Sequence, residues 1–264
     1  MKSLIKNSTN FFPLSFEQEQ FLSKEEVKCV NEFNNISAMT RLIGQVQIPE
    51  MLAALNEIVR RHEIFRTTFN ISDQFLVQTI AAQFEIELPV VDFMEFSLDE
   101  RDVQVQQYIK NEVHSQFNLS SGPLFRVFLL KLASEEYILL FIVHHIIFDI
   151  SSFEVLNKEL STLYTAYVQN IPSPLSELSI QYADYAQWQH QHLNEMELKR
   201  QSAYWSKNLE GCSALLNLPL DRQRPAIQCF NGASYRFDIH ETIVTSLKET
   251  CKQCDGTLLM LLQN

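Results

Sequence analysis

The chain has 264 residues, 46% hydrophobic and 20% charged, a globular composition long enough for one large domain or two modest ones. Its 21 Lys and Arg against 32 Asp and Glu give a net charge of −11, which argues against nucleic acid as the main partner because phosphate binding draws on clustered cations. The 5 glycines (Gly44, Gly122, Gly211, Gly232 and Gly256) are too scattered for a phosphate-cradling loop or a nucleophile elbow, which sets aside P-loop hydrolases, Rossmann dehydrogenases and serine α/β-hydrolases.

The amino end, Met1-Lys2-Ser3-Leu4-Ile5-Lys6-Asn7, carries basic residues without an apolar core and a small-residue cleavage site, so a cytoplasmic location is the default expectation. Pro49 to Arg60 has apolar residues at helical spacing, with Pro49 and Glu50 in the first turn where absent donors and the dipole favour them. Ile64 to Asn70 and Gln74 to Ile80 read as a strand pair joined by Ser72-Asp73, and the alternation from Phe84 to Val91 predicts another strand. Ser97-Leu98-Asp99-Glu100 is a capping-box pattern opening a long helix that runs to about Gln116.

Leu124 to Leu132 and Tyr137 to Val143 are strongly apolar runs separated by Ala133-Ser134-Glu135-Glu136, which predicts a hairpin of central strands buried on both faces. The longest uncharged apolar stretch, Tyr137 to Phe148, is well short of the ~20 residues a membrane crossing needs, so no membrane partner is expected. Ser152 is placed to cap a helix whose stripe is Phe153, Leu156, Leu160, Leu163, Tyr164 and Tyr167. The breaker cluster Ile171-Pro172-Ser173-Pro174-Leu175-Ser176 marks a boundary, dividing the chain into residues 1–172 and 173–264. Beyond it come helices from Tyr182 to about Leu209, an extended segment from Leu218 to Pro225, a strand from Ala233 to Ile239, and an apolar helical run still in progress at Leu258 to Leu262.

Several residue groups read as ordinary structure. Cys29, Cys212, Cys229, Cys251 and Cys254 are odd in number and sparse, which fits reduced thiols. Cys251-Lys252-Gln253-Cys254 lacks the further ligands a zinc site needs, so it reads as two thiols on one helical face, and no metal is expected. His190 and His192 read as solvated, Glu25-Glu26 and Glu135-Glu136 as a surface face and a turn, and Trp188 and Trp205 as packing between helices.

The densest constellation is His144-His145-Ile146-Ile147-Phe148-Asp149-Ile150-Ser151-Ser152, at the carboxyl end of a predicted central strand and before a helix. Reacting groups collect at such strand ends. Consecutive strand residues face opposite ways, so the two histidines have different jobs, one of them looking into a cleft. A neutral imidazole there can take a proton from an attacking amine or hydroxyl or hydrogen-bond a developing oxyanion. Asp149 is placed to order the turn by pairing with an arginine.

This segment resembles the His-His-x-x-x-Asp-Gly signature of nonribosomal peptide synthetase condensation domains, in the superfamily that includes chloramphenicol acetyltransferase. Pro13-Leu14-Ser15-Phe16-Glu17-Gln18 resembles that family's opening block, and Arg61-His62-Glu63-Ile64-Phe65-Arg66-Thr67-Thr68-Phe69 its Arg-His-Glu-x-Leu-Arg-Thr-x-Phe block. Tyr182-Ala183-Asp184-Tyr185-Ala186-Gln187-Trp188 and the Leu-Pro-x-Asp-Arg-x-Arg-Pro run ending at Pro225 follow in family order. The resemblance implies an α/β (α+β sandwich) fold: a chloramphenicol acetyltransferase-like lobe with a mixed sheet and flanking helices over residues 1–172, then connecting helices and the start of a second, incomplete lobe over 173–264.

It also implies amide-bond formation between acyl or aminoacyl groups held as thioesters on the phosphopantetheine arms of donor and acceptor carrier proteins, with an adenylation domain of the same assembly as a further partner. No cofactor is implied for the domain itself. In family terms His145 is the base or the group that stabilises the tetrahedral intermediate, His144 is structural, and Asp149 is the structural aspartate, with Arg66 preferred over Arg61 as its partner. The family glycine is Ile150 here, which puts donor or acceptor access in question, and the unfinished second lobe implies weak activity alone. A non-catalytic carrier-binding module, an epimerisation domain and a coenzyme A-dependent acyltransferase are the alternatives, while the histidine pair argues against heterocyclisation.

Overall fold

A computed structural model describes residues 11–25, 34–72, 75–213, 215, 219–225, 235 and 237–262. The two apolar runs form the expected hairpin, β6 (Phe125–Ala133) and β7 (Glu136–His144), with a bulge between Lys131 and Ala133. β7 is buried along nearly its whole length because it is paired on both edges. On one edge it meets β6, and on the other the antiparallel strand β2 (Asn35–Ile43), in a register that sets Asn35 opposite His144. The short strand β5 (Val90–Asp92) adds to β6 in parallel, giving the order β2-β7-β6-β5. A second, antiparallel sheet has the order β1-β4-β3, from β1 (Phe11–Pro13), β3 (Thr67–Ser72) and β4 (Phe75–Ile80).

Helices cover both faces of the four-stranded sheet, which accounts for the lack of polar alternation in β6 and β7. On one face, Phe128 meets Tyr108 of α3 (Leu98–His114) edge-on, with centroids 5.7 Å apart. On the other, Phe141 lies 5.9 Å from Phe125 and meets Phe65 and, from α4 (Ile150–Val168), Phe153. α2 (Ile48–Arg61) packs on α4 through Met51, Ala54, Leu55, Ile58 and Val59, the buried stripe its spacing predicts. The mixed α/β class, with sheets and flanking helices, is therefore the one expected.

Several elements differ from their sequence reading. Residues 63–66 form a 3-10 turn before β3 rather than the start of a strand. Between Phe84 and Pro89 the chain is irregular, and only Val90–Asp92 pairs. Phe84, Ile86 and Leu88 alternate because this coil sends alternate side chains into the core, and Ile86 N–H donates to Asn56 Oδ1 (2.9 Å) in place of a strand partner. The capping box at Ser97 and Glu100 forms as expected.

The breaker at residues 171–176 does not divide the molecule: the first compact unit runs to Ala214, and the second comprises Leu215–Asn264. α5 (Tyr182–His192) returns to the start of the chain, where Phe16 N–H donates to Gln189 Oε1 (2.8 Å) and Ser15 Oγ meets the Tyr182 hydroxyl (2.9 Å). α6 (Glu195–Asn208) follows it. In the second unit, α7 (Glu241–Gln253) and α8 (Leu258–Leu262) are separated by a turn with Asp255 at positive φ, so the apolar run after Gly256 is a helix of its own. Residues 219–225 have no regular structure, and the strand expected from 233 to 239 does not form at the described residues 235 and 237–239, while 233, 234 and 236 lie outside the described residues. Among the described residues no helix is long and apolar enough to cross a membrane.

Leu140 is fully buried at the centre of β7. Leu140→Ala is expected to lower stability by about 2–5 kcal/mol, measured by urea unfolding; a loss under about 1 kcal/mol would contradict this placement of the core.

Candidate functional site

β7 ends at His144, and the chain turns at once: Ile147 N–H donates to His144 O (3.1 Å) and Phe148 N–H to His145 O (3.4 Å). His144 keeps the strand's inward direction, 1% exposed, with Phe117 and Phe21 edge-on to its ring. Its Nδ1 accepts the Ile146 N–H (3.1 Å), so the ring proton of the neutral form sits on Nε2. His145 is instead exposed and lines an open cleft of about 370 Å³ with Glu17, Phe21, Asp149, Ser152 and Tyr182. Its backbone N–H donates to Asn34 O (2.7 Å), and its ring lies 5.1 Å from that of Phe21, tilted by 34°. The histidine pair thus divides as the alternation argument requires, one ring buried and one in the cleft.

Further segments build the cleft. Gln18, 1% exposed, holds the start of α1 (Phe16–Glu25) by accepting the Ser15 N–H (2.9 Å), and its amide points to the Ile146 carbonyl at 3.5 Å. Tyr182 reaches Ser15 from α5, and burial, followed by the nearby negative charges, pushes its phenol above the ordinary value and keeps it neutral. His190, read from sequence as solvated, is half-buried and ties α5 to Leu14 O (2.7 Å) against the edge of Phe16. Trp188 and Trp205 are about half exposed rather than packed between helices, and Trp188 stacks on Tyr185 and His192. The sequence marks Ser15, Gln18 and Tyr182 only as parts of motifs and gives Gln189 no signal; their role rests on bonds spanning 128, 167 and 173 residues, which no local pattern reveals.

The arginine partner expected for Asp149 is absent among the described residues. Asp149 is the N-cap of α4: Oδ1 accepts the Ser152 N–H (2.8 Å) and the Ser152 hydroxyl (2.6 Å). The cap is therefore Asp149, and Ser152 is the third helical residue that completes the capping box. The Ser152 hydroxyl, against slight burial, holds the Asp149 carboxyl below its ordinary value, helped by the Ser152 N–H and by His145.

Arg66 instead gathers carbonyls, donating to Val59 (3.1 Å), Arg60 (3.3 Å), Ala82 (3.3 Å) and Ala81, so it closes the end of α2 where the dipole favours a cation. Arg61, 4% exposed, pairs with Glu159 of α4 (3.4 Å) and donates to Ser176 O (2.9 Å). Both guanidinium groups are committed away from an aspartate that is already capped. Ile150, where the resemblance places a glycine, is not among the positive-φ residues; it opens α4 with its side chain 84% exposed. The backbone conflict expected there does not arise.

Other sequence candidates stay apart from the cleft. Cys251 is buried in the last turn of α7, while Cys254 is exposed just beyond it, so the thiols do not share a face. Glu135 lies in the β6–β7 turn, Glu136 pairs with Arg41 (2.5 Å), and Glu26 lies outside the described residues. Among the described residues no three His, Cys, Asp or Glu side chains are grouped to hold a metal ion.

The condensation-domain family profile matches residues 8–264. The chain belongs to that family. It is 36% identical over 250 residues to a linear gramicidin synthase of Brevibacillus parabrevis, covering 95% of this chain and 5% of that protein. To surfactin synthase subunit 1 of Bacillus subtilis it is 34% identical over 251 residues, again 95% of this chain and 7% of that protein. The chain thus spans a small part of these relatives.

Among solved structures, the X-domain from teicoplanin biosynthesis aligns with a TM-score of 0.78 at 24% identity, covering 99% of this chain and 56% of that one. The starter condensation domain of rhizomide synthetase aligns with a TM-score of 0.68 at 21% identity, covering 77% and 49%. These likenesses confirm the fold.

The cap geometry separates two roles for Asp149. Asp149→Asn keeps an N-cap acceptor and is expected to change stability by less than about 0.5 kcal/mol, while Asp149→Ala costs about 1 kcal/mol; a loss of about 3–5 kcal/mol on Asp149→Asn is the result an ion pair with a buried arginine would give. Glu159 reinforces the acid response. Burial opposes its ionisation, but hydrogen bonds from His62 and Arg61 outweigh this and hold its carboxyl below the ordinary 4.5. With both carboxyls depressed, the unfolded chain binds more protons, so their stabilisation is complete above about pH 4.5 and is lost as pH falls through the folded values. Urea midpoints measured on acidification check that sign.

Proposed function

We propose that this chain forms an amide bond between two carrier-tethered groups within a nonribosomal peptide synthetase, with His145 as the group that handles the proton. The observation that carries this reading is the division of the histidine pair: His144 is locked in the wall by Ile146 N–H, while His145 stands in the cleft beside Asp149 and Tyr182. The acceptor amine attacks the donor thioester carbon, and its lone pair forms the new C–N bond. A neutral imidazole at His145 takes the amine proton or orients the amine by hydrogen bonding. Collapse of the tetrahedral oxyanion breaks the C–S bond, and the departing phosphopantetheine thiolate takes up a proton, leaving amide and thiol.

The other residues act by position. His144 and Asp149 fix the two ends of the turn that carries His145, and Ser152 completes the cap. Arg61 and Arg66 fasten the end of α2, from which Ile64 reaches the cleft wall. The partners in this reading are a donor and an acceptor carrier protein and an adenylation domain of the same assembly, in the cytoplasm. The phosphopantetheine belongs to the carriers and arrives with the substrates.

The test is product formation by the synthetase carrying this chain, given donor-loaded and acceptor-loaded carriers. His145→Ala is expected to lower the rate of amide formation by about 10²-fold or more with an unchanged unfolding midpoint. Product at the wild-type rate removes His145 from the chemistry, and no product from the wild-type protein overturns the reading itself.

A further inference from the structure

Beside the His145 cleft lies a second cavity, of about 250 Å³. Ile64, Ile147, Phe148 and Ser152 line both, so a group tethered at His145 has this cavity as its neighbour. Its walls are apolar: Ile58, Phe65, Ile147, Phe148 and Leu156 are all 7% exposed or less, and Val155, half exposed, stands at the edge. Two of the wall residues are aromatic, and Phe65 and Phe148 already pack with centroids 6.1 Å apart, leaving faces and edges for a further ring.

The wall holds one imidazole, His62. Its Nε2 lies 2.8 Å from Glu159 Oε2, and a carboxylate only accepts, so Nε2 carries a proton. In the neutral ring Nδ1 is then an acceptor. It makes no hydrogen bond among the described residues, yet it is not among the unpartnered atoms sealed from solvent. Glu159 is itself fixed by Arg61, whose guanidinium is anchored at Ser176 O. The imidazole is thus oriented by a supporting pair, with an accessible acceptor on the wall of an apolar cavity.

We propose that this cavity is a side-chain subsite for one of the two reacting groups and that it takes an aromatic ring ending in a hydroxyl, whose O–H donates to His62 Nδ1. The ring fills the apolar walls, and the hydroxyl supplies the donor that His62 lacks. A phenyl side chain fills the same walls but leaves the imidazole acceptor dry and unpaired, a loss that sets the preference. The proposal rests on the condensation reading, because that reading brings a tethered aminoacyl group to the adjoining cleft.

The test is calorimetric binding of tyrosyl- and phenylalanyl-pantetheine amides, unreactive mimics of the thioesters, to the purified 264-residue protein at a pH where imidazole is neutral. The tyrosyl analogue is expected to bind about 10-fold tighter. His62→Phe abolishes that ratio, and Val155→Phe, at a half-exposed position, weakens both analogues. Equal affinities for the wild-type protein overturn the subsite and leave the condensation reading standing. A ratio that survives in folded His62→Phe also overturns it. Failure of both analogues to bind the folded wild-type protein overturns the subsite, while the condensation reading is decided separately by product formation in the synthetase.

Discussion

β7 is hydrogen-bonded along both edges, and apolar layers cover both its faces. A strand held in this way cannot slip by one residue without exchanging its two faces. Such a slip would carry His144 out of its place beside Phe117 and Phe21. The same register delivers the strand end to the point where Ile146 N–H meets His144 Nδ1, and from there the chain has only the turn through Phe148 before α4 begins. The position of His145 is thus a consequence of sheet packing, with the turn adding the final change of direction.

Two local devices hold that turn, and both differ from an ion pair. At its start a buried imidazole accepts from the backbone; at its end Asp149 caps α4. Hydrogen bonds between near neighbours fix a loop without desolvating opposite charges, so the support does not depend on a distant arginine meeting a buried carboxylate. The arginines of the Arg-His-Glu segment are used elsewhere: Arg66 gathers the last carbonyls of α2, and Arg61 joins α2 to α4 and to the segment at residues 175–176. That leaves His62, between them in sequence, as the member of the segment with an accessible ring nitrogen.

Much of the fold was legible because its signals are local. The stripe in α2, the capping box at Ser97, and the apolar runs around Ser134-Glu135 each declare an element within a dozen residues. Phe84 to Pro89 misled because alternation reports alternate burial, and a coil lying on a core produces it as readily as a strand does. The histidine pair was legible because neighbouring residues on a strand must diverge. Its surroundings were not: Ser15, Gln18, Tyr182 and Gln189 meet through folding of the whole first unit, and acidic residues near an arginine motif do not reveal which of them pair.

The long reach of these bonds also sets an order in time. The β6–β7 hairpin closes over a few residues, whereas Ser15 and Tyr182 are separated by 167 positions and Phe16 and Gln189 by 173. Local pairings form early and distant ones late, because a large loop must be closed before its contacts repay the entropy. As the chain leaves the ribosome, β7 and the cap of α4 can form long before α5 has been made. His145 therefore acquires its turn first and its far wall last, and the cleft is finished only when the segment ending at Gln189 folds back onto the beginning of the chain.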